Sequence, residues 1–331
     1  MTQWIRATTA GARPAGGIVR AAAALAAVAT ATVALAAFPA PAQAAPGEAV
    51  DAMSGKKTVQ DRLAVYAPVE ISVPWNLLDE LEAAALVEIY RAALIMDELF
   101  LRQVWEGNLD LRERLRVGDD PDLLRFFKIN FGPWDRVDAN APFIGELPKP
   151  AGANFYPADM TREEFEGWIE RHPEDREAFE GTFSVIRRAP EGRLIAVPYS
   201  IEYGELLLRA VAHLRAAAGL TGNESLARFL RSRADAFLSD DYFQSDLDWM
   251  DVAANVLDLT IGPYEVYEDG LFNYKAAFEA FVCVRDPEES RRLDGLKGYL
   301  VRLEENLPLP DRHKNLERGT ESPISVVDVV F

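Results

Sequence analysis

The stretch Ile261–Phe281, IGPYEVYEDGLFNYKAAFEAF, decides how this chain is read. Leading into it, Leu257, Leu259 and Ile261 alternate with Asp258 and Thr260, so residues 256–261 predict a half-buried strand. Gly262-Pro263 follows, then Tyr264, Glu265, Val266, Tyr267 and Glu268. On any extended backbone Glu265 and Tyr267 share one face. Pro263 cannot donate to a sheet ladder, which points to an edge strand or a strand start. Such a strand can receive an extended peptide by β-addition, the Glu265 carboxylate taking a free amine while the Tyr267 phenol donates to a carbonyl oxygen. An ordinary acidic strand would have the same composition, so this segment alone leaves both readings open.

Working outward, apolar residues recur every three or four positions at Leu78, Leu81, Ala85, Ile89, Ala92, Met96 and Leu99, predicting a long amphipathic helix with Asn76 as its N-cap. Residues 132–156 are rich in Pro, Gly and Asn and read as a loop. Thr161 with Glu164 reads as a capping box opening a helix that buries Phe165, Trp168 and Ile169. A hairpin is expected from residues 182–187 and 193–198 around Ala189-Pro190-Glu191-Gly192. Helical spacing returns at Leu206, Leu207, Ala210, Val211, Leu214 and Ala218, with Gly219 as the expected C-cap, and again over residues 225–238. Residues 274–284 are mixed in pattern, and 287–306 predict a last helix. The closing run, Val326 to Phe331, is strand-like; ending at its most apolar point, it is expected of a truncated domain or of a terminal strand docked in a sheet. The fold class expected is α+β, mostly helical with a small mixed or antiparallel β core.

The first 44 residues predict a cleaved signal peptide. Arg6, Arg13 and Arg20 precede the uncharged run Ala21 to Ala37, and Ala42-Gln43-Ala44 is a small-x-small cleavage signal. Residues 45–75 are then expected to be a flexible lead, and the protein to be exported to the periplasm or secreted. The chain carries 35 basic and 53 acidic residues, and the leader holds three of the basic ones and none of the acidic, so 32 basic face 53 acidic groups beyond it. A surface that acidic repels phosphate backbones and anionic headgroups, which argues against nucleic acid or a membrane surface as partner. With 331 residues and 49% hydrophobic side chains there is ample apolar material for a core. The one cysteine, Cys283, lies in Phe281-Val282-Cys283-Val284 and reads as a small buried hydrophobe.

Screening for chemistry excludes more than it finds. The sequence has no G-x-S-x-G elbow, no phosphate-binding G-x-x-x-x-G-K-[ST] loop and no G-x-G-x-x-G turn. Its three histidines, His172, His213 and His313, lie far apart and none is followed by Glu, so no zinc-binding helix is visible and no metal ligand is predicted. His213 sits on a helix beside the apolar positions and reads as a boundary residue of the apolar face, not a ligand. Asp240, Asp241, Asp246, Asp248 and Asp251 lack the central Gly and closing Glu of a calcium loop and read as caps and solvated acids. Nothing in the spacing of such acids selects a glycosidase pair.

Over residues 154–331 the chain resembles bacterial members of the M49, or dipeptidyl-peptidase III, family. The similarity is carried by NFYPADMTREEFE, the hairpin ending VPYS, RADAFLSDDYFQSDLDWMD and, above all, IGPYEVYEDGLFNYKAAFEAFV. The resemblance implies a two-lobed fold around a cleft, with a barrel-like β core, and assigns residues 76–331 to the substrate-binding lobe. It implies that Glu265 binds the ammonium of short peptides with a free N-terminus and that Tyr267 assists at the scissile carbonyl, as substrate-binding and catalytic residue. It implies zinc as cofactor, yet the family's H-E-x-x-x-H helix and later Glu lie downstream of the region matching SPISVVDVVF. The expected function is therefore the peptide-binding part of a zinc dipeptidyl-peptidase, inactive alone; a self-standing exported peptide-binding protein or pseudoenzyme is the alternative. Related plant proteins fuse this region to a Nudix domain, but no Nudix box is present.

Overall fold

The helical period that starts near Asn76 becomes α2, Glu80–Val104, in the computed structural model, which describes residues 57–316 and 325–331. Asn76 is not its cap. Trp75–Leu77 close into a 3₁₀ turn, and the Asp79 carboxylate accepts the N–H groups of Leu81 and Glu82 at 2.9 and 2.8 Å. A carboxylate satisfies two orphan donors and complements the positive helix end, which an amide does less well. The apolar stripe of α2, including Ile89, Met96 and Leu99, is almost fully buried. It lies between α8 (Gly204–Leu220) and the largest sheet, while α9 (Glu224–Ser239) backs α8. Burial of each such side chain contributes about 1.5–3 kcal/mol.

Before α2 stands a short helix, α1, Val59–Leu63. It falls in the segment read as a flexible lead, yet Arg62 reaches Asp135 and both side chains are nearly buried. The leader itself lies outside the described residues. After α2 come α3 (Asn108–Val117) and α4 (Pro121–Asn130), then the two-residue strands β1 (Trp134–Asp135) and β2 (Ala141–Pro142) within the Pro/Gly/Asn-rich loop. Next, α5 (Arg162–Arg171) starts where expected: Thr161 Oγ1 accepts the Glu164 N–H at 3.1 Å. The Glu164 side chain does not return to close the box, because it pairs with Arg188.

After α6 (Arg176–Glu180) the expected hairpin forms, β3 (Ser184–Arg188) against β4 (Leu194–Pro198), and α7 (Tyr199–Glu202) leads into α8. Helix α8 runs past Gly219 and is capped at Thr221. Between α9 and the sheet lies α10 (Phe243–Met250). The strand read over 256–261 extends as β5, Leu257–Glu265, and residues of mixed pattern form its antiparallel partner β6, Ala277–Arg285. The alternation in β6 is real but weak in sequence, since Phe278, Val282 and Val284 face the core while the exposed Phe281 breaks the polar face. The last helix is two, α11 (Pro287–Lys297) and α12 (Leu300–Glu305). The closing run is docked: β7, Val327–Val329, pairs antiparallel with β6, and the Phe331 ring meets Tyr90 edge-on at 5.3 Å.

The class is thus α+β, with three separate antiparallel sheets among the described residues. The barrel-like core implied by resemblance is not a closed barrel among the described residues, where β5 pairs with β6 alone and keeps one edge open. No described helix is long and apolar enough to cross a membrane.

The connection from β5 to β6 is held from inside. Asp269, fully buried, accepts the Tyr156 hydroxyl at 2.7 Å and the backbone N–H groups of Leu271, Phe272, Tyr274 and Lys275 at 2.9–3.2 Å. The buried Lys275 ammonium donates to Phe179 O, Gly181 O and Ser184 Oγ at 2.6–2.9 Å. An amide at position 269 would point N–H groups at N–H groups. Asp269→Asn is therefore expected to destabilise the fold by about 3 kcal/mol, since buried donors left unmatched cost roughly 1–3 kcal/mol each. Denaturant unfolding measures it; a loss below about 1 kcal/mol would contradict this account of the loop.

Candidate functional site

At the open end of β5 the backbone departs from a plain strand. Gly262 has φ +146°, and a Cβ there would lie 2.9 Å from the buried Arg233 guanidinium, so only glycine fits. Pro263 pairs with Phe278 and Glu265 with Ala277, leaving one extra residue between them. A bulge of this kind bends the strand and re-aims the side chains that follow. Because β5 is an edge among the described residues, the missing N–H of Pro263 leaves no gap in the ladder to β6.

Glu265, the last residue of β5, is exposed. Tyr267 is 68% exposed but, against the expectation of an extended backbone shared with Glu265, does not continue the strand: it sits in a turn closed by the Asp269 N–H to the Val266 carbonyl at 3.1 Å. Both predicted site residues therefore face solvent at one end of the sheet, brought there by the bulge and the turn. The residue after them is buried. Glu268, with its side chain 1% exposed, receives Arg136 Nη1 at 2.8 Å and Lys149 Nζ at 2.7 Å. Burial alone would raise its pKa, but the two cations outweigh that and hold the carboxyl below its ordinary value.

Glu279, on β6 opposite Gly262, joins the site unforeseen. Burial, and then the charge of Glu265, push its carboxyl up to about 7. The Tyr267 phenol is raised by burial, then by Glu279 and Glu265, while Arg136 acts in the opposite direction. The phenol thus feels the charges of Glu279, Glu265 and Glu268 against that of Arg136. A groove of about 490 Å³ opens beside it, lined by Ala139–Pro142, Pro148–Ala151, Tyr267, Glu268 and Gly270. Glu279 was legible in principle, since a strict alternation from Phe278 places it on the face away from the core. Arg136 and Lys149 carried no signal, because their partner lies far along the chain.

The histidines do not converge. His172 stacks on Trp168 with ring centres 4.3 Å apart, His213 Nδ1, midway along α8, lies 2.7 Å from Glu88 Oε2, and His313 is exposed beside Arg312. Among the described residues no three His, Cys, Asp or Glu side chains are placed to hold a metal ion, so the residues do not fit the zinc implied by resemblance. The acidic run is consumed in structure: Asp240 accepts Ser200 N–H at 3.0 Å, Asp246 pairs with Arg233, and Asp248 and Asp251 face Arg228.

No family model matches the chain. The solved structure of dipeptidyl-peptidase III from Caldithrix abyssi is 53% identical, with a TM-score of 0.78 over 82% of this chain and 52% of that one. The structure of dipeptidyl-peptidase III from Corallococcus sp. strain EGB is 45% identical, with a TM-score of 0.75 over 83% and 52%. Nudix hydrolase 3 of Arabidopsis thaliana is 35% identical over 83% of this chain and 42% of its own length. The chain therefore spans about half the length of the solved structures it matches and less than half of the plant relative. At 45–53% identity to two structures with the same arrangement of helices and sheets, the chain belongs to the dipeptidyl-peptidase III (M49) family.

Proposed function

We propose that this chain is the part of an exported dipeptidyl-peptidase III-type peptidase that receives the free amino terminus of short peptides. The observation that carries the reading is the exposed pair Glu265 and Tyr267 at the open end of β5, with the half-buried Glu279 beside it. An extended peptide lies against the β5 edge, its ammonium meets Glu265 and Glu279, and the Tyr267 phenol donates to a peptide carbonyl. Two carboxylates around one ammonium offset the cost of desolvating it, provided both are ionised. Tyr267 is the catalytic candidate in the family sense, since it reaches the reacting carbonyl.

Zinc belongs to the whole peptidase of this family. With no ligand set among the described residues and the sequence's three histidines apart, the chain's own role is to bind and orient the peptide. The alternative, a self-standing peptide-binding protein or pseudoenzyme, uses the same surface, and the continuous apolar core running through α2, α8, α9 and the sheet favours it. A single cooperative unfolding transition supports that alternative, whereas a molten chain supports a part that needs its other half.

Glu265→Gln is expected to weaken binding of a free-amine tripeptide by about tenfold or more, in keeping with roughly 1.5–3 kcal/mol for a hydrogen bond to a charged group. Calorimetric titration measures it, and unchanged affinity contradicts the assignment. Affinity should rise as pH passes through about 7, where Glu279 ionises, and fall again as the peptide ammonium deprotonates near pH 8. Glu279→Gln should flatten the rise; a rise that persists assigns it to another group. Stability runs the opposite way. Between about 4.5 and about 7 the folded state holds a Glu279 proton that the unfolded state has released, so Glu279 makes the chain less stable as pH increases across that window. With zinc added, the 331-residue chain is expected to release no arylamine from dipeptidyl-arylamides, and turnover would refute the binding-only role.

A further inference from the structure

Beside Tyr267 the groove is lined by Lys149 and Glu268, and Glu268 is shared between Lys149 and Arg136. Glu268 takes Arg136 Nη1 at 2.8 Å, Arg136 Nη2 at 3.3 Å and Lys149 Nζ at 2.7 Å, so two positive charges face a single negative one. Arg136 is fixed from behind, with Nε donating to Asn130 O at 2.7 Å and the guanidinium 5.4 Å from the centre of the Phe100 ring. Lys149 is freer to serve a ligand. Its bond to Glu268 uses one of three N–H donors, its side chain is 14% exposed, and it lines the groove together with Tyr267. Pro142, Pro148 and Pro150 form part of the wall, giving it a backbone of low flexibility.

The excess positive charge is local, in a chain whose formal net charge is −18. Tyr267 follows Glu265, the exposed last residue of β5, and Glu279 stands on β6 opposite Gly262. A ligand positive at its head and negative further along matches this order of charges. A carboxylate is the anion suited to a Lys beside an already neutralised Glu, and in a half-enclosed groove such a pair is worth more than on open surface. We propose that Lys149, with Arg136 behind it, forms a carboxylate-binding subsite, so that the chain prefers short peptides carrying an anionic group downstream of the free amine. The inference rests on the reading of Glu265 and Tyr267 as the amine end. Its source is either the C-terminal carboxylate of a very short peptide or an Asp or Glu side chain.

The test is calorimetric titration of the full chain with three peptides: Ala-Ala-Ala-Ala amide, the same sequence as free acid, and Ala-Ala-Asp-Ala amide. At least one anionic peptide is expected to bind about tenfold more tightly than the neutral one at low salt, an advantage that shrinks at high salt. Which of the two gains identifies the source. The advantage should vanish in Lys149→Met and survive in Lys149→Arg, with thermal unfolding of both variants read alongside. Equal affinity for all three peptides in the native chain, including no measurable binding of any, overturns the subsite without recourse to a variant. So does an anionic preference that persists in a folded Lys149→Met. Glu265→Gln separates the two claims: if it leaves all affinities unchanged while the anionic preference holds, the amine assignment falls and the carboxylate subsite stands.

Discussion

The buried carboxylate of Asp269 is the contact on which the site depends. One side chain gathers the Tyr156 hydroxyl and the N–H groups of Leu271, Phe272, Tyr274 and Lys275, and so fixes the return from β5 to β6 from within. Burying a charge is costly, and only this density of donors makes it favourable. The consequence for function is geometric. A turn anchored at Asp269 cannot drift, and Tyr267, two residues earlier, is presented to solvent on a rigid base even though it is itself 68% exposed. Tyr156 is pushed far above its ordinary value by burial and by Asp269, so it stays a neutral donor throughout the working pH range.

Around that anchor the chain sorts charge by depth. Glu268 is sunk and neutralised by Arg136 and Lys149, Glu279 is half sunk and holds its proton to about neutral pH, and Glu265 is open to water. Three neighbouring acids therefore have three different behaviours, set by burial and partner and not by residue type. The bulge between Pro263 and Glu265 contributes by re-aiming Glu265 and the residues that follow it, while Glu279 stands on the neighbouring strand β6. Gly262 is part of the same device: its positive φ and its closeness to Arg233 leave no room for a side chain where the strand begins to bend.

Much of the framework was legible in the sequence. The helices α2, α8 and α9 follow from apolar spacing, and the β3–β4 hairpin from its turn residues. The errors were local competitions. Asn76 lost to Asp79 because a 3₁₀ turn intervened, and Glu164 left its capping box for Arg188. Strand β5 was read too short because Gly-Pro usually ends a strand; it continues here because an edge tolerates proline. Tyr267 was placed on the strand and lies in a turn, since the loop geometry is dictated by Asp269, whose partners are not visible in local pattern. The clamp on Glu268 was wholly illegible, as Arg136 is 132 residues away. Composition likewise could not show that a strongly acidic chain keeps a lysine, Lys149, in the lining of its groove.

The most direct measurement of the central claim is residue-resolved chemical-shift mapping of the backbone amides with a short free-amine peptide and its N-acetylated counterpart. The account predicts that the free-amine peptide shifts the amides of residues 264–268 and 277–280, and that acetylation abolishes those shifts. Shifts centred elsewhere, or equal shifts with both peptides, would contradict it.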